Sequence, residues 1–276
     1  MTLALPRRTL LQLIAGVAAT TSAKPAGSVP PDLPIPPASA REARLTWARL
    51  VGDLSGRTIF FFTHGSVWGF KPQADDLTVE AFAKRLYGYS GVAARKLERR
   101  ADGEILIRQK HWAFYRDPET DAITDRIANP YTGRTDTAAP MSGPVAARPL
   151  GLLDPPSATM PYGMRIRRAG PTAVIETSAF HRFQSPGISW HKLEGNLDDY
   201  VCRTADLDSE MPHVPSHYSQ NLIAEWQTWT GMHGTPGHIL FKGNGEPLTN
   251  LDAVPTDQIA AIERAFPDTL AEVRGW

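Results

Sequence analysis

The sequence has little of three features that would each indicate a class of protein. It contains one cysteine, Cys202, so an internal disulfide is excluded. Its 29 Lys and Arg are matched by 29 Asp and Glu, and this balance provides no net charge for binding nucleic acid or an anionic membrane. No apolar run is long enough to predict a spanning helix. What remains is a chain of 276 residues with 42% hydrophobic residues, enough to form a core.

Sequence motifs of several common enzyme classes are also absent. The chain has no Gly-x-Ser-x-Gly, no phosphate-binding loop and no dinucleotide fingerprint. It also has no His-Glu-x-x-His zinc motif. Nothing therefore indicates hydride transfer from a nicotinamide or phosphoryl transfer from a nucleotide. The sequence identifies no cofactor, and it does not decide whether the protein is an enzyme.

The N-terminus has the layout of an export signal. Arg7 and Arg8 precede a short apolar run that ends in small residues at Ala23, which predicts a twin-arginine signal peptide over 1–23. Residues 24–40 contain six prolines and predict an extended tether. We expect a periplasmic protein whose residues 41–276 form a single globular domain, with no stable membrane insertion once the signal is removed.

The remaining chain is predicted to consist mainly of antiparallel strands. Strand-like runs flank three glycine-containing positions that predict a break or a turn: Gly65, Asp102-Gly103 and Ala169-Gly170-Pro171. Residues 237–248 predict a further strand, followed by a glycine turn at 243–245. Consecutive hairpins of this kind favour an antiparallel sheet.

Helices are predicted near the two ends of the domain. Apolar residues at helical spacing predict a helix over 41–54, and Thr256 is predicted to cap a last helix over 256–266. Residues 75–91 fit a helix or a strand. We expect an α+β, β-rich fold, with an antiparallel barrel-like or strongly curled sheet and a few peripheral helices, because curling protects the edges of a sheet.

Three predicted strands each run through apolar residues to a histidine. In 104–115, one face carries no charge and includes Gln109, His111 and Tyr115. In 58–64, Phe62 shares a face with His64, and in 173–181 the corresponding face ends at His181. If these strands line one cavity, the three imidazoles converge at the polar end of an apolar pocket.

Three interpretations of these histidines stay open. Each can be a separate, half-buried residue with its own local hydrogen bond. They can form a small-molecule site, in which His111 is a base, Tyr115 a donor, and His64 or His181 an orienting partner, because imidazole titrates near neutral pH. They can also bind a metal as three neutral ligands, although no tight ligand motif supports this.

Two aromatic segments are further candidates for a ligand site. The turn "NPYTG" contains Asn129 and Tyr131, and its residues are typical of a structural turn, in which Tyr131 supplies an anchor. Loops at the mouth of a barrel also contact ligands. Trp226 and Trp229 are three residues apart, a spacing that favours the core but also suits the floor of a pocket.

Three segments of the sequence together resemble an uncharacterised bacterial family, domain-of-unknown-function family 1838. They are "GDLSGRTIFFFTHGSVWGF", "HWAFYRDPETDAITDRIANPYTG" and "WQTWTGMHGTPGHILFKGNG". The family pattern Tyr-x-Asp-x-x-Thr is matched by Tyr115, Asp117 and Thr120, and the C-terminal Pro-Gly by Pro236-Gly237. Relatives tend to have Gly where this chain has Asp121. The resemblance implies one domain and no particular activity.

These observations predict a protein that binds or transforms a small hydrophobic or aromatic molecule. If it is an enzyme, acid/base chemistry of a lyase, isomerase or hydrolase is expected. The alternatives are a non-catalytic binding protein that uses the same pocket, and a cell-envelope interaction protein without a pocket, whose exposed aromatic residues contact a partner. The identity of the ligand and the oligomeric state are not predicted.

Overall fold

The computed structural model describes residues 39–72, 83–143, 145–153, 163–183 and 192–276, without the side chains at 180–183 and 192–194. The predicted signal peptide and nearly all of the predicted tether lie outside these residues. Within them, no helix has both the length and the apolar composition that crossing a membrane requires.

One antiparallel sheet of ten strands forms the centre of the described fold. Its order is β6-β3-β2-β1-β12-β11-β10-β9-β8, and β7 pairs with β3 beside β6, while β4 and β5 form a separate hairpin. The strands are β1 (Ile59–Phe70), β2 (Ala83–Arg99), β3 (Ile105–Arg116), β4 (Arg126–Ala128), β5 (Thr135–Thr137), β6 (Met141–Ser142), β7 (Ala146–Pro149), β8 (Gly163–Ala169), β9 (Thr172–Phe183), β10 (Lys192–Arg203), β11 (His217–Ala224) and β12 (His238–Leu248).

The β-rich, mostly antiparallel prediction is confirmed, but closure into a barrel is not. In the part of the chain that the structure describes, β8 stands at one edge of the sheet, and β6 and β7 stand at the other. The turns predicted at Gly103 and Gly170 are present, and both glycines have a positive φ. The ambiguous residues 75–91 end inside β2, which begins at Ala83.

Among the residues that the structure describes, four short helices accompany the sheet: α1 (Ala40–Val51), α2 (Thr204–Asp208), α3 (Thr256–Ala265) and α4 (Pro267–Arg274). The same residues include two 3-10 turns, at Thr228–Thr230 and Leu251–Ala253. The helices predicted at 41–54 and 256–266 are therefore confirmed. Thr256 is the first residue of α3 rather than its cap, since Pro255 precedes the helix and no side-chain capping bond forms there.

Glycines predicted to interrupt strands instead allow strands to run without a break. Gly65 lies in the middle of β1, where a Cβ would overlap the carbonyl oxygen of Lys242 in the neighbouring strand. Gly243 and Gly245 lie inside β12, so the predicted turn at 243–245 is wrong. Glycine at these positions marks close approach of another chain segment, not a change of direction.

Both faces of the sheet are covered, and we name them by what lies against them. On the helix face, Phe60, Trp112 and Phe114 pack with residues of α3 and α4 such as Ile262 and Leu270. The opposite, pocket face carries His111, which pairs with Ala93 of β2, which in turn pairs with Phe61 of β1. Alternation along each strand assigns every residue to one of these faces.

Two apolar clusters occupy the two ends of the pocket face. The first, which we call the α1 cluster, joins Trp47, Leu50 and Val51 of α1 to Ile105 and Ile107 of β3, among others. The second, which we call the aromatic cluster, contains Val67, Tyr87, Tyr115, Trp226 and Trp229 with their neighbours. The middle of the face lies between them, and the candidate site is found there.

Candidate functional site

A pocket of about 440 Å³ opens on the pocket face between the α1 cluster and the aromatic cluster. This volume lies in the range of small-molecule sites, and the lining is mostly apolar. The residues come from six strands and one flanking segment, and they are Phe61, Thr63, Tyr89, Gly91, Ala93, Arg95, His111, Ala113, Met141, Tyr218, Gln220, Leu222, Ala224, Gln227, Ile239 and Phe241.

Small residues in the central strands explain why the face is not filled here. Gly91, Ala93 and Ala113 lie next to each other on β2 and β3, and Gly243 and Gly245 lie across β1 on β12. A large side chain at Gly91, Ala93 or Ala113 would occupy the space that the pocket contains, whereas Gly243 and Gly245 make room for Tyr89 and Tyr218 of the pocket wall. Glycine also allows close contact, because a Cβ at Gly243 would overlap Tyr89 Oη and one at Gly91 would lie 3.0 Å from His111 Nε2.

His111 is the predicted site residue that the structure places in the pocket. Its ring is exposed to the pocket and makes no hydrogen bond with any described residue. Burial by the surrounding protein, with smaller contributions from the charges of Arg95 and Lys110, lowers the pKa of His111 to about 4. The imidazole is therefore neutral at pH 7, and it can donate one hydrogen bond to a ligand and accept another.

Arg95 brings a positive charge into the same pocket. Its guanidinium carbon lies 5.1 Å from the centroid of the Phe61 ring, a cation–π arrangement. Arg95 makes no hydrogen bond or ion pair within the described residues, although it is half-buried. Its five N–H donors are therefore available to a ligand.

Two tyrosines hold the polar groups of the pocket wall in place. The Tyr89 hydroxyl donates a 2.9 Å hydrogen bond to Gln220 Oε1, and the Tyr218 hydroxyl lies near the carboxylate of Asp198 on β10 and favours its ionised form. Burial raises the pKa of both phenols, so both are protonated at neutral pH. The side chains of Tyr218 and Gln220 line the pocket from β11.

Asp198 lies beside this wall and has an altered acidity. Burial raises the pKa of Asp198 to about 6, against hydrogen bonds from the Asn221 N–H and the Tyr218 hydroxyl and against the charge of Arg95. The Asn221 bond is long, at 3.4 Å. A carboxyl group that titrates near neutral pH, next to a pocket, has the acidity required for proton transfer.

His64 is on the wrong face for the predicted convergence of three histidines. It pairs with Ser90 of β2, which pairs with Phe114 of β3, and Phe114 belongs to the helix face. Its imidazole Nε2 lies 3.0 Å from Asp121 Oδ1. His64 and Phe62 line a groove on the helix face, so neither contributes to the pocket.

His181 is in register with the pocket face but far from His111 along the sheet. When the backbone pairing is followed from strand to strand across the sheet, Ala179 is aligned with Val67 of β1. His111 is aligned with Phe61, six residues earlier in β1. His181 lies two residues beyond Ala179, and five strands separate β9 from β3. Its side chain is outside the described residues, so a role for it stays a prediction.

Tyr115 and Trp226 belong to the aromatic cluster rather than to the pocket lining. Tyr115 is buried, and its hydroxyl accepts a 3.1 Å hydrogen bond from Trp229 Nε1. Tyr87 packs edge-on against Tyr115, with ring centroids 5.2 Å apart. Trp226 is buried against Tyr131, with centroids 5.5 Å apart. This cluster forms one end wall of the pocket.

The turn at 129–133 is structural in this fold. The Asn129 side chain donates to the Thr230 carbonyl at 2.9 Å and accepts from the Tyr131 N–H at 2.9 Å. The Tyr131 hydroxyl donates to the Gly69 carbonyl at 2.6 Å, which anchors the turn to β1. Gln109 is on the same face as His111 but outside the pocket lining. These three residues therefore do not line the pocket.

The metal interpretation finds no support in the described part of the chain. No group of three or more His, Cys, Asp or Glu side chains is placed there so that it could hold an ion. His64 is also separated from His111 by the sheet itself.

Four residues at the pocket were not predicted from the sequence: Arg95, Tyr218, Gln220 and Asp198. The signal for Arg95 was present, because Tyr89, Gly91, Ala93 and Arg95 alternate along β2. Tyr218 and Gln220 alternate with Leu222 in the same way along β11. Only the strand order shows that β2 and β11 contribute to one pocket, since β1 and β12 lie between them.

The comparison with protein families gave one match. A family model described as "Protein of unknown function (DUF1838)" matches residues 56–271, which is well over half of the chain. No curated protein and no solved structure matches the chain significantly. The matched residues run from just before β1 into α4 and include every residue that lines the pocket.

Proposed function

We propose that this chain, which belongs to the family DUF1838, binds a small hydrophobic or aromatic molecule in the pocket between the α1 cluster and the aromatic cluster. One observation carries the proposal: the central strands present Gly and Ala where larger residues would fill the face, and they leave about 440 Å³ open. Filling such a space with apolar surface is favourable. Phe61, Phe241 and Leu222 provide that surface.

A neutral fluorescent probe tests the proposal directly. N-phenyl-1-naphthylamine is apolar and aromatic, and its emission increases when it leaves water. We expect saturable binding of one molecule per chain. Ala93→Phe should abolish this binding, because the new ring projects into the pocket beside Phe61 and His111.

A matched variant separates occupation of the pocket from a general effect of the added ring. Ala101→Phe adds the same ring at an exposed turn position and should bind the probe like the unchanged protein. Circular dichroism establishes that both variants are folded. Undiminished probe binding by folded Ala93→Phe would show that the pocket is not the binding site, and absence of binding by the unchanged protein would contradict the proposal.

A second candidate function is acid/base turnover of the bound molecule. It is favoured by Tyr218, which lines the pocket, and by the nearby Asp198, whose pKa is raised to about 6 by burial. In this arrangement Tyr218 contacts the ligand, and Asp198 accepts or donates the proton that the reaction moves. His111, whose pKa is lowered to about 4, is a weaker base and better suited to hydrogen bonding.

Turnover has a test that does not require the product to be known in advance. A ligand found by thermal-shift screening is incubated with the protein in deuterated water, and its mass is measured. Proton abstraction predicts incorporation of deuterium by the unchanged protein and loss of incorporation in Tyr218→Phe, with ligand binding retained. Equal incorporation in the Phe variant would exclude this role of Tyr218.

A further inference from the structure

We propose that the ligand of the pocket is an amphipathic organic anion, whose acidic group binds Arg95 and whose apolar body lies toward Leu222 and Phe241. The inference rests on the proposed binding function and specifies its ligand class. It follows from the charge state of the pocket and from the distribution of polar groups along the strands.

The guanidinium of Arg95 has donors that the described protein does not use. It lines the pocket, is half-buried, and contacts the face of Phe61 instead of a carboxylate. A buried or half-buried charge normally has a charged or hydrogen-bonding partner. Arginine is also the side chain that best matches a planar carboxylate, through two parallel N–H···O bonds.

Asp198 is not that partner. No ion pair within 4.0 Å joins the two side chains, and the Asp198 carboxylate accepts a hydrogen bond from the Asn221 N–H instead. Burial raises the pKa of Asp198, and the charge of Arg95 opposes this with a smaller effect. The amine of Lys110 is on the opposite face, where it donates to Ser142 Oγ at 2.7 Å.

The charged side chain of the pocket and the apolar side chains of β11 and β12 lie at different ends, and at the aromatic end the lining residue Gln227 is polar but uncharged. Arg95 and His111 lie at the end nearest the α1 cluster, where the backbone pairing across the sheet aligns His111 with Phe61 of β1. Leu222 and Phe241 are paired in neighbouring strands, and Phe241 is paired in turn with Val67 of β1, which belongs to the aromatic cluster. An occupant that matches both ends has an acidic group at one end and an apolar body at the other.

His111 adds a neutral donor at the charged end. Its Nε2 lies close to Gly91, and the absence of a side chain at Gly91 leaves the ring edge open. Because the imidazole is uncharged at neutral pH, it adds a hydrogen bond without adding charge. One guanidinium with one neutral imidazole suits a single anionic group rather than a doubly charged phosphate.

Two dyes with the same rings test this inference. 8-Anilinonaphthalene-1-sulfonate carries an anionic group that N-phenyl-1-naphthylamine lacks. Arg95→Gln should weaken binding of the sulfonate at least tenfold and leave binding of the neutral dye within twofold. Arg95→Lys, which keeps the charge but loses the planar fork, should lie between the two. Arg99→Gln, an exposed residue of the same strand, should leave both affinities unchanged.

The outcomes separate this inference from the function on which it rests. Equal loss of both dyes in folded Arg95→Gln, or loss of neither, would overturn the anion proposal, whereas binding of the neutral dye by the unchanged protein would still support the proposed binding function. If the unchanged protein binds neither dye, the binding function and the anion inference are both wrong. If Arg95→Gln does not fold, the comparison of Arg95→Lys with the unchanged protein makes the same distinction.

Discussion

At the scale of single residues, Asp121 adopts a backbone conformation that is costly for most residue types. It has a φ of 60°, a left-handed conformation that glycine adopts at less cost than other residues. The Asp121 carboxylate lies 3.0 Å from His64 Nε2, and its carbonyl accepts a 2.7 Å hydrogen bond from Arg116. His64, which the sequence predicts as a site residue, is therefore in contact with the side chain of a turn residue instead.

The acidity of Asp198 makes a prediction about stability at different pH values. Its pKa is raised to about 6 in the folded protein, with burial as the largest cause, whereas an unfolded aspartate titrates near 3.9. The folded state therefore binds a proton more tightly, and the contribution of Asp198 to stability falls as pH rises from about 4 to above 6. Tyr218, Tyr89, Arg95 and Asp199 are the charged or titratable neighbours.

Asp198→Asn should remove this pH dependence. The amide keeps the shape of the side chain and an oxygen that can accept from the Asn221 N–H, as Asp198 does, but it does not ionise. We expect the variant to be more stable than the unchanged protein at about pH 7.5, by at most about 3 kcal/mol, with the difference vanishing near pH 4. Urea unfolding at both pH values measures this. If the variant were less stable than the unchanged protein at the higher pH, this would contradict the prediction that the buried, ionised carboxylate of Asp198 destabilises the fold.

Sequence patterns could assign residues to a common face, but not to the correct face. Alternation places His111 with Ala113 on one face of β3, and Phe62 with His64 on one face of β1, as the structure does. Because the helix face and the pocket face are both covered, neither strand has a solvent side that identifies the other as interior. The pairing of β1 and β3 through β2 determines which histidine lies on the pocket face, and this pairing cannot be deduced from the residues of either strand alone.

At the scale of elements, glycine in β12 and β1 has a packing role that the sequence pattern does not reveal. Gly243 was expected in a turn, since Gly-Asn-Gly is a common turn sequence. In the sheet it instead accommodates the hydroxyl of Tyr89, which donates to Gln220. The same residue type serves real turns at Gly103 and Gly170, where φ is positive. The distinction depends on the neighbouring strand.

Gly243→Ala should therefore destabilise the protein even though alanine is well tolerated in many strands. The added methyl group overlaps Tyr89 Oη, and the buried ring has little room to move away. We expect a loss of about 1–3 kcal/mol in the free energy of unfolding, measured by chemical denaturation. Gly143→Ala, where nothing lies within 4 Å of the added Cβ, is the control and should change stability little.

At the scale of the whole molecule, the sheet separates the residues that stabilise the fold from those that shape the pocket. Under α3 and α4 the helix face is a filled core, in which Leu270 and Ile262 pack against strands with almost no exposed surface. The pocket face has filled ends and an open centre. The α+β class and the hairpins were predictable from local patterns, but this division was not, since it depends on which residues the strand order brings together.

This separation predicts that stability and ligand binding can be changed independently. Leu270→Ala leaves a cavity under α4 and should cost about 2–5 kcal/mol of unfolding free energy, while the affinity of the folded protein for N-phenyl-1-naphthylamine stays within twofold. Ala93→Phe should do the reverse, with lost affinity and little loss of stability, because it fills empty space. Both variants are measured by urea unfolding and by dye titration well below the unfolding transition. If Leu270→Ala lost affinity in proportion to its stability, the two faces would be coupled, and the pocket would depend on the helix layer behind it.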